Sequence, residues 1–394
     1  MKTQTSRRFF LLACLFLATF LPLVGSWLRW HGLPPYYGAF PPVQGPTPPG
    51  FNEIYFAAGC VFVLVVSLFL LFPGLFGFKA PPPSPPVTPG PRPGWLVPGF
   101  VVMLVSWALM WFGPGPLARF TFVPLWWGFI CVLDGWVYAR THGRSLLAAR
   151  RHEMLVLAIV SVVGWYLFEY WNYFVLEDWI YPFSGLLTPF GNLVWYTLSY
   201  TTVWPVCFET VMLLGTFPAL RGRWAQGPAW QPSRALVVGV LLVGLVLQGA
   251  MAYYPYPLFW GLWVGSPTIL GAALALAGYW TPLEPAAHGD WSRFVLMALA
   301  TFFDGFVWEF WNFGSEAFRH GVATNPNYWV YHIPYLNVGH FFSEMPALGY
   351  FGYLFFGLLV WIYWLLVAHL LGLDPDFAHA EVAASAPGDM AEAC

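Results

Sequence analysis

The sequence predicts an all-α fold, a polytopic transmembrane helical bundle of about ten spans. Of the 394 residues, 59% are hydrophobic and only 9% are charged, whereas soluble domains carry about 25% charged residues. Several uninterrupted apolar runs exceed the roughly 18 to 20 residues that cross a bilayer. In addition, one short motif occurs twice, and each copy lies at the end of such an apolar run. Together these observations indicate a membrane protein with an internal repeat.

The repeated motif reads aromatic-Glu-aromatic-Trp-Asn-aromatic, and its copies are residues 168–173 and 308–313. A Pro-Leu-aromatic-Trp-Gly segment precedes each copy, at 124–128 and 257–261, and a Trp-x-Tyr segment follows each, at 179–181 and 329–331. Three landmarks thus recur in the same order at similar spacing. We therefore expect two tandem four-helix units of the same orientation, related by an axis along the membrane normal.

The apolar runs predict ten spans, at residues 9–28, 54–77, 95–113, 120–138, 153–174, 192–217, 234–254, 257–281, 291–313 and 346–371. Between them, residues 32–50 and 79–94 are rich in proline, which suits capping loops or extended linkers. The predicted organisation is an N-terminal transmembrane hairpin (1–78), a linker (79–94), two repeats (95–225 and 226–372) and a tail (373–394). The tail is small and acidic, and we expect it to be disordered.

The distribution of basic residues predicts the orientation through the positive-inside rule. With the N-terminus inside, the cytoplasmic segments hold Lys2, Arg7, Arg8, Lys79, Arg92, Arg140, Arg144, Arg150, Arg151, Arg221, Arg223, Arg234 and Arg293. The outer segments hold only Arg29, Arg119 and Arg319. We therefore expect a multi-pass protein of the cell (inner) membrane with both termini in the cytoplasm.

Several functional classes lack support in the sequence. The net charge of −2 gives no reason to expect nucleic acid as a partner. The five cysteines share no CxxC spacing, and no HExxH, GxSxG or phosphate-binding glycine loop is present. His332, His340 and Glu344 lie near the second Trp-x-Tyr segment without a tight metal-binding spacing. We therefore expect the lipid bilayer as a partner, but neither a cofactor nor a metal; the oligomeric state stays open.

Five acidic residues fall within the predicted spans. We place Glu169, Asp304 and Glu309 in the outer half, and Asp134 and Glu209 nearer the inner side. A charged residue at a helix centre costs about 2.5 to 3.5 kcal/mol on insertion scales, and no Lys or Arg lies clearly inside a span as a partner. Such a setting favours the protonated carboxyl group, which can donate a hydrogen bond or a proton.

Each motif acid stands three residues from an asparagine, in the pairs Glu169/Asn172 and Glu309/Asn312. Residues at this spacing share one helix face. Two interpretations remain open: hydrogen bonds that fix helix packing, or a site of catalysis or transport. Asp304 favours the second, because the first unit has Gly164 at the same position. One unit has thus gained an acid that the other lacks.

Aromatic residues belong at membrane interfaces, but those on successive faces around Glu169 and Glu309 must in part point inward. An aromatic-lined pocket suits a flat apolar ligand or a cationic intermediate, through cation–π attraction. The candidate substrate-binding residues are Trp308, Trp311, Trp171, Trp329, Tyr331 and Glu344.

The outer part of the second unit resembles the membrane-bound lycopene cyclase domain family of carotenoid biosynthesis. The matching features are Asp304, then Trp329 and Tyr331, then Glu344-Met345-Pro346 with Tyr350 and Phe351 beyond. The resemblance covers about 50 residues per unit. It implies an isoprenoid substrate, whereas the Glu-aromatic-Trp-Asn motif is not part of that family's pattern.

The leading expectation is a membrane-embedded enzyme that acts on an apolar lipid or isoprenoid. Glu309 with Asp304 would supply or take a proton, with Glu169 as the corresponding acid of the first unit, and Asn172 and Asn312 would orient the carboxylates. A proton-coupled transporter is the main alternative, because duplicated units with carboxylates at their interface are common in transporters. A third alternative is an assembly factor whose outer loops dock a partner.

Overall fold

The computed structural model describes residues 3–81 and 87–379 of the chain, and it is almost entirely helical. Its helices are α1 (Gln4–Trp30), α2 (Glu53–Leu71), α3 (Leu96–Phe112), α4 (Gly115–Ala118), α5 (Phe122–Arg140), α6 (Leu146–Ala149), α7 (Arg151–Phe174), α8 (Pro189–Tyr200), α9 (Val203–Gly215), α10 (Pro218–Gly222), α11 (Arg234–Tyr253), α12 (Gly261–Ala277), α13 (Leu283–Ala286), α14 (Ser292–Ala317) and α15 (Gly352–Leu371). Single 3-10 turns occupy Pro73–Phe76, Ser184–Leu186 and Gly349–Phe351. The predicted all-α class is therefore confirmed.

Seven helices within the described ranges are long and apolar enough to cross a membrane. They are α1, α2, α5, α7, α11, α14 and the segment Gly349–Leu371, which contains α15. Two further apolar helices, α3 and α12, are shorter. These apolar helices indicate a multi-pass membrane protein.

Two short strands, β1 (Trp179–Ile180) and β2 (Val330–Tyr331), pair antiparallel. They follow the C-terminal ends of α7 and α14, and we call this end of the bundle the ladder end. The opposite end carries residues 373–379, and we call it the tail end. The 24 residues of α7 separate the two ends by about 36 Å.

Glycines allow some of these helices to approach very closely. A Cβ atom on Gly128 of α5 would lie 2.7 Å from the backbone nitrogen of Met103 in α3. A Cβ atom on Gly25 of α1 would overlap the backbone carbonyl oxygen of Gly249 in α11. Small residues at helix contacts are a general device of membrane proteins, in which van der Waals packing replaces the hydrophobic driving force.

The first two helices pack mainly against later helices of the chain. Helix α1 contacts α11 and α12, and Gln248 donates a side-chain hydrogen bond of 2.8 Å to the Ala18 carbonyl. Helix α2 has no buried residue and reaches α15 through Phe62 and Phe355, whose ring centroids lie 5.5 Å apart. The small-residue face of α1 is complementary to α11.

The proline-rich segment 32–52 covers the ladder end. The Tyr181 amide donates to the Pro42 carbonyl, the Tyr335 amide to the Pro49 carbonyl and the Asn52 amide to the Tyr335 carbonyl. This segment therefore acts as a capping loop. Of the second proline-rich segment, residues 82–86 lie outside the described residues.

The first residues of the tail are ordered, although the sequence predicted disorder from residue 373. Phe377 is fully buried and stacks on Phe208 at a centroid distance of 5.4 Å. Asp376 pairs with Arg293 at 2.9 Å. Burial of one aromatic ring and an ion pair offset the entropy of ordering this short segment. Residues 380–394 lie outside the described residues.

The predicted span 192–217 is broken into α8 and α9 at Thr201 and Thr202. Pro205 contributes to the break, since it lacks the amide that a continuous helix would use there. Ser161 of α7 satisfies the freed backbone groups: its hydroxyl donates to the Tyr200 carbonyl and accepts from the amides of Val203 and Trp204, both at 3.1 Å. Such breaks are tolerated in membrane helices where neighbouring side chains complete the hydrogen bonds.

We expect Gly25→Ala to lower the free energy of unfolding by about 1 to 3 kcal/mol, because its Cβ forces α1 away from the α11 backbone. Thermal unfolding of the purified protein, followed by the exposure of buried tryptophans, measures the effect. Gly239→Ala in α11 is the matched control, because no atom lies within 4 Å of its added Cβ. Equal midpoints for the two variants would contradict close packing of α1 on α11.

Candidate functional site

The Glu169 carboxyl group gathers four aromatic donors on a single oxygen. Its Oε1 accepts from the hydroxyls of Tyr181 at 2.6 Å and Tyr200 at 3.1 Å. It also accepts from the indole nitrogens of Trp165 at 3.1 Å and Trp179 at 3.3 Å. The other oxygen, Oε2, has no partner in the structure. Glu169 therefore draws α7, the ladder segment and the end of α8 towards one point.

Glu309 stands in an equivalent arrangement at the second motif. Its Oε1 accepts from the hydroxyls of Tyr331 and Tyr353, both at 2.7 Å, and the Trp329 indole donates to the Tyr331 hydroxyl at 3.0 Å. As at the first motif, Oε2 has no partner. Both motif acids are almost completely buried and are held by phenols instead of cations.

The motif asparagines hold the backbone of the Trp-x-Tyr segments. Asn172 donates to the Trp179 carbonyl at 2.8 Å, and Asn312 donates to the Trp329 carbonyl at 2.8 Å while accepting from the Trp329 amide at 3.1 Å. The ladder pairs Trp179 with Tyr331 and Ile180 with Val330. The asparagines thus act on the acids indirectly, by fixing the segments that carry the tyrosines.

A further pair of contacts recurs eight residues before each motif acid. Ser161 donates to the Tyr200 carbonyl, and Thr301 donates to the Tyr353 carbonyl at 2.7 Å. In each case the tyrosine held in this way donates its hydroxyl to the motif acid. One difference lies four residues before each acid: Trp165 donates its indole N–H to Glu169, whereas the second unit has Gly305, whose added Cβ would overlap the Tyr353 ring.

A cavity of about 260 Å³ lies between the two motif regions at the ladder end. Its wall includes Trp165, Tyr200 and Tyr181 from the surroundings of Glu169, and Tyr331 and Tyr353 from those of Glu309. The remaining wall is mainly aromatic and aliphatic. The volume lies near the lower end of the range for small-molecule sites. Both acids accept hydrogen bonds from tyrosines of this wall and do not themselves line the cavity.

The other candidate substrate-binding residues are distributed unevenly. Trp308, Trp329 and Tyr331 line the cavity. Trp171 and Trp311 do not; Trp171 is fully buried beside Phe168, and Trp311 packs in the aromatic core of α3 and α5.

Asp304 lies away from Glu309 and faces α9. Its Oδ1 accepts from the Thr210 hydroxyl at 2.8 Å. The next residue before Thr210 is Glu209, whose buried carboxyl group lies near that of Asp134. Asp304, Glu209 and Asp134 thus form a deeper set of acids, nearer the tail end than the cavity.

No three metal-binding side chains converge among residues 3–81 and 87–379. Glu344 accepts from the Tyr328 hydroxyl at 2.6 Å and does not line the cavity, and His340 is exposed.

Sequence reasoning missed Glu177 and Asp178, which follow the first motif directly. Both are buried, at 0% and 3% exposure, and neither side chain has a hydrogen-bond partner within residues 3–81 and 87–379. Asp178 lines the cavity. A signal was present: the second unit has Asn327 and Tyr328 at the corresponding positions before its Trp-x-Tyr segment.

The backbone at this point is strained. Leu176 and Glu177 both have positive φ, at 67° and 59°, a conformation that costs non-glycine residues of order 1 kcal/mol or more. The Glu177 amide donates to the Asn172 carbonyl at 2.9 Å, and the Asp178 carbonyl accepts from the His332 amide at 2.7 Å. Contacts to both motif regions therefore hold the two acids in the interior.

No family model, no curated protein and no solved structure matches this chain. Its function is therefore inferred from the cavity and the groups around it.

We expect the stability of the protein to fall as pH rises from about 5 to about 8. Burial, with the adjacent Asp178, raises the pKa of Glu177 from 4.5 to about 8, and burial raises the pKa of Asp178 well above its ordinary value. The folded state thus keeps protons that the unfolded chain has already lost, so the free energy of unfolding decreases across this window.

Thermal unfolding at a series of pH values measures this dependence. Glu177→Gln should make the curve flatter, and the exposed Glu284→Gln should leave it unchanged. A slope in Glu177→Gln equal to that of the wild type would exclude Glu177 as its source.

Proposed function

We propose that this chain is a membrane-embedded enzyme that acts on a lipid or isoprenoid by carboxylate acid–base chemistry. The observation that carries the proposal is the pairing of buried glutamates with tyrosines that face one aromatic cavity. Tyr181 and Tyr200 lie on Glu169, and Tyr331 on Glu309. A phenol backed by a buried carboxyl group is an arrangement suited to proton transfer in a site with little water.

The proposed relay passes one proton through each pair. When the Tyr331 oxygen takes a proton from the ligand, its own proton moves to the Glu309 carboxylate at 2.7 Å. The ligand has then lost one proton and the carboxyl group has gained one. The reverse sequence delivers a proton to the ligand, with Tyr331 as the group in contact and Glu309 as the reservoir.

The cavity wall supports an apolar substrate. Trp308, Trp329 and Phe356 line it, and such rings offer faces to a flat or unsaturated chain. The resemblance of the second unit to lycopene cyclase domains supports an isoprenoid in particular. An intermediate that gains positive charge would be stabilised by the same aromatic faces.

We also propose the finer organisation of the fold. The seven long helices, the shorter α3 and α12, and the broken pair α8–α9 together make ten spans. The matching contacts of Glu169 and Glu309 support two related four-helix units. Arg140, Arg150 and Arg293 meet residues of the tail end, where Arg140 bonds to Thr216 and Arg150 to Asp374. The common location of these arginines at the tail end supports a cytoplasmic tail end under the positive-inside rule, and with it an inner-membrane protein with both termini in the cytoplasm.

We expect deletion of the gene to cause a lipid or pigment precursor to accumulate. Complementation with the wild type should clear it, whereas Glu309→Gln should not, because the amide cannot take the tyrosine proton. Mass spectrometry of whole lipid and pigment extracts measures the outcome. Glu284→Gln, at an exposed acid that does not line the cavity, is the matched control. Full clearance by Glu309→Gln would refute the proposed role.

Proton-coupled transport is the second candidate, and the deeper acids favour it. Asp134, Glu209 and Asp304 continue a line of carboxyl groups from the cavity towards the tail end. The break between α8 and α9 beside the cavity also resembles the discontinuous helices of transporter binding sites.

The two candidates differ in which acids matter. If the protein is an enzyme, Glu309→Gln and Tyr331→Phe should lower the complementing activity at least tenfold, whereas Glu209→Gln should stay close to the wild type. A transporter predicts a similar loss for Glu209→Gln, because a proton path must cross the bilayer. The complementation assay on these three variants, with each protein's membrane level measured by immunoblot, discriminates them.

A further inference from the structure

Asp178 is the one residue of an acidic or basic type in the wall of the cavity, as far as the chain is described. Its side chain is only 3% exposed, and neither carboxyl oxygen has a hydrogen-bond partner. Its main chain is anchored by the His332 amide at 2.7 Å. A residue of the cavity wall thus carries a fixed and buried carboxyl group without a partner among the described residues.

A carboxyl group in this position destabilises the empty protein. An unpaired buried acid either stays ionised at a cost of several kcal/mol or takes up a proton. The strain at Leu176 and Glu177 adds to this cost. Groups held against such costs cluster at ligand sites, where the ligand supplies the missing partner.

The other residues of the cavity wall indicate which charge the ligand carries. Trp179, Trp263 and Trp329 line the same cavity, and the ring centroids of Trp179 and Trp263 lie 5.5 Å apart. Aromatic faces attract cations, most strongly when water is excluded. No Lys, Arg or His belongs to the described wall, so an anionic group would find no counter-charge. A carboxyl group among tryptophan faces is the chemistry that recognises an organic cation.

We propose that the cavity binds its ligand through a cationic nitrogen, a protonated amine or a quaternary ammonium group, which pairs with Asp178. The apolar remainder of the ligand lies against the aromatic wall that reaches the Tyr331–Glu309 pair. This inference rests on the cavity of the proposed enzyme and adds the class of its ligand. It concerns binding alone, so it is testable without turnover.

The test uses the full-length protein in lipid nanodiscs and two probes of the same shape. Benzyltrimethylammonium carries the cation, and neopentylbenzene replaces its nitrogen by carbon. Equilibrium binding of each is measured, with empty nanodiscs to subtract partition into lipid. We expect the wild type to bind the cation at least tenfold more tightly than its neutral isostere. Equal affinities would overturn the proposal.

Variants then locate the effect. Asp178→Asn keeps the size of the side chain and removes its charge, and should abolish the preference for the cation; Asp178→Glu should retain part of it. Asp374→Asn at the tail end is the control and should behave as the wild type. A preference that survives in a folded Asp178→Asn would overturn the assignment. If Asp178→Asn does not fold, the ratio of the affinities for the two probes, measured in the wild type and in Asp178→Glu, still tests the proposal.

Failure of this inference and failure of the proposed enzyme are distinguishable. If Glu309→Gln fails to clear the precursor but the wild type binds both probes equally, the acid–base role stands and the cationic ligand is refuted. If the wild type prefers the cation but Glu309→Gln still clears the precursor, the ligand class stands and the proposed chemistry is refuted.

Discussion

The hydrogen bonding of two buried glutamates organises the ladder end of this protein. In the described part of the chain neither Glu169 nor Glu309 forms an ion pair, and each accepts hydrogen bonds from side chains of neighbouring segments. The donors are tyrosines and tryptophans, so the same side chains that stabilise the acids also form the wall of the cavity. Loss of either acid would leave several buried hydroxyl and indole donors without a partner, at a cost of about 1 to 3 kcal/mol each. The stability of this end and the proposed acid–base chemistry therefore rest on the same contacts.

The sequence predicted the helical class and the two motifs, because apolar length and a repeated pattern are local properties. It also identified Trp329 and Tyr331, since their spacing after the motif repeats that of Trp179 and Tyr181. It did not predict Asp178, whose importance arises only where the first ladder segment meets the second. The partner of Asp304 was missed for a similar reason, as Thr210 lies 94 positions away along the chain. Contacts between distant segments leave no periodicity to detect.

At the break between α8 and α9, the small residue Ser161 has several structural roles. The Ser161 hydroxyl completes the backbone hydrogen bonds of the break and fixes Tyr200, which in turn reaches Glu169. Gly164, one turn further along α7, makes room for the Trp204 ring, and this explains why the first unit has no acid where the second has Asp304. The difference between the units thus reflects packing against α9 as much as chemistry.

The capping loop has a mechanical consequence. Its backbone is bonded to Tyr181 on one side of the cavity and to Tyr335 on the other, and the β1–β2 ladder joins the same two sides. A rocking motion of one half against the other, as alternating access requires, would break these bonds together. With the ladder end pinned in this way, the lipid-soluble substrate of the proposed enzyme would enter between helices from the bilayer. A clamped end of this kind suits chemistry on a molecule already dissolved in the bilayer better than passage of a solute across it.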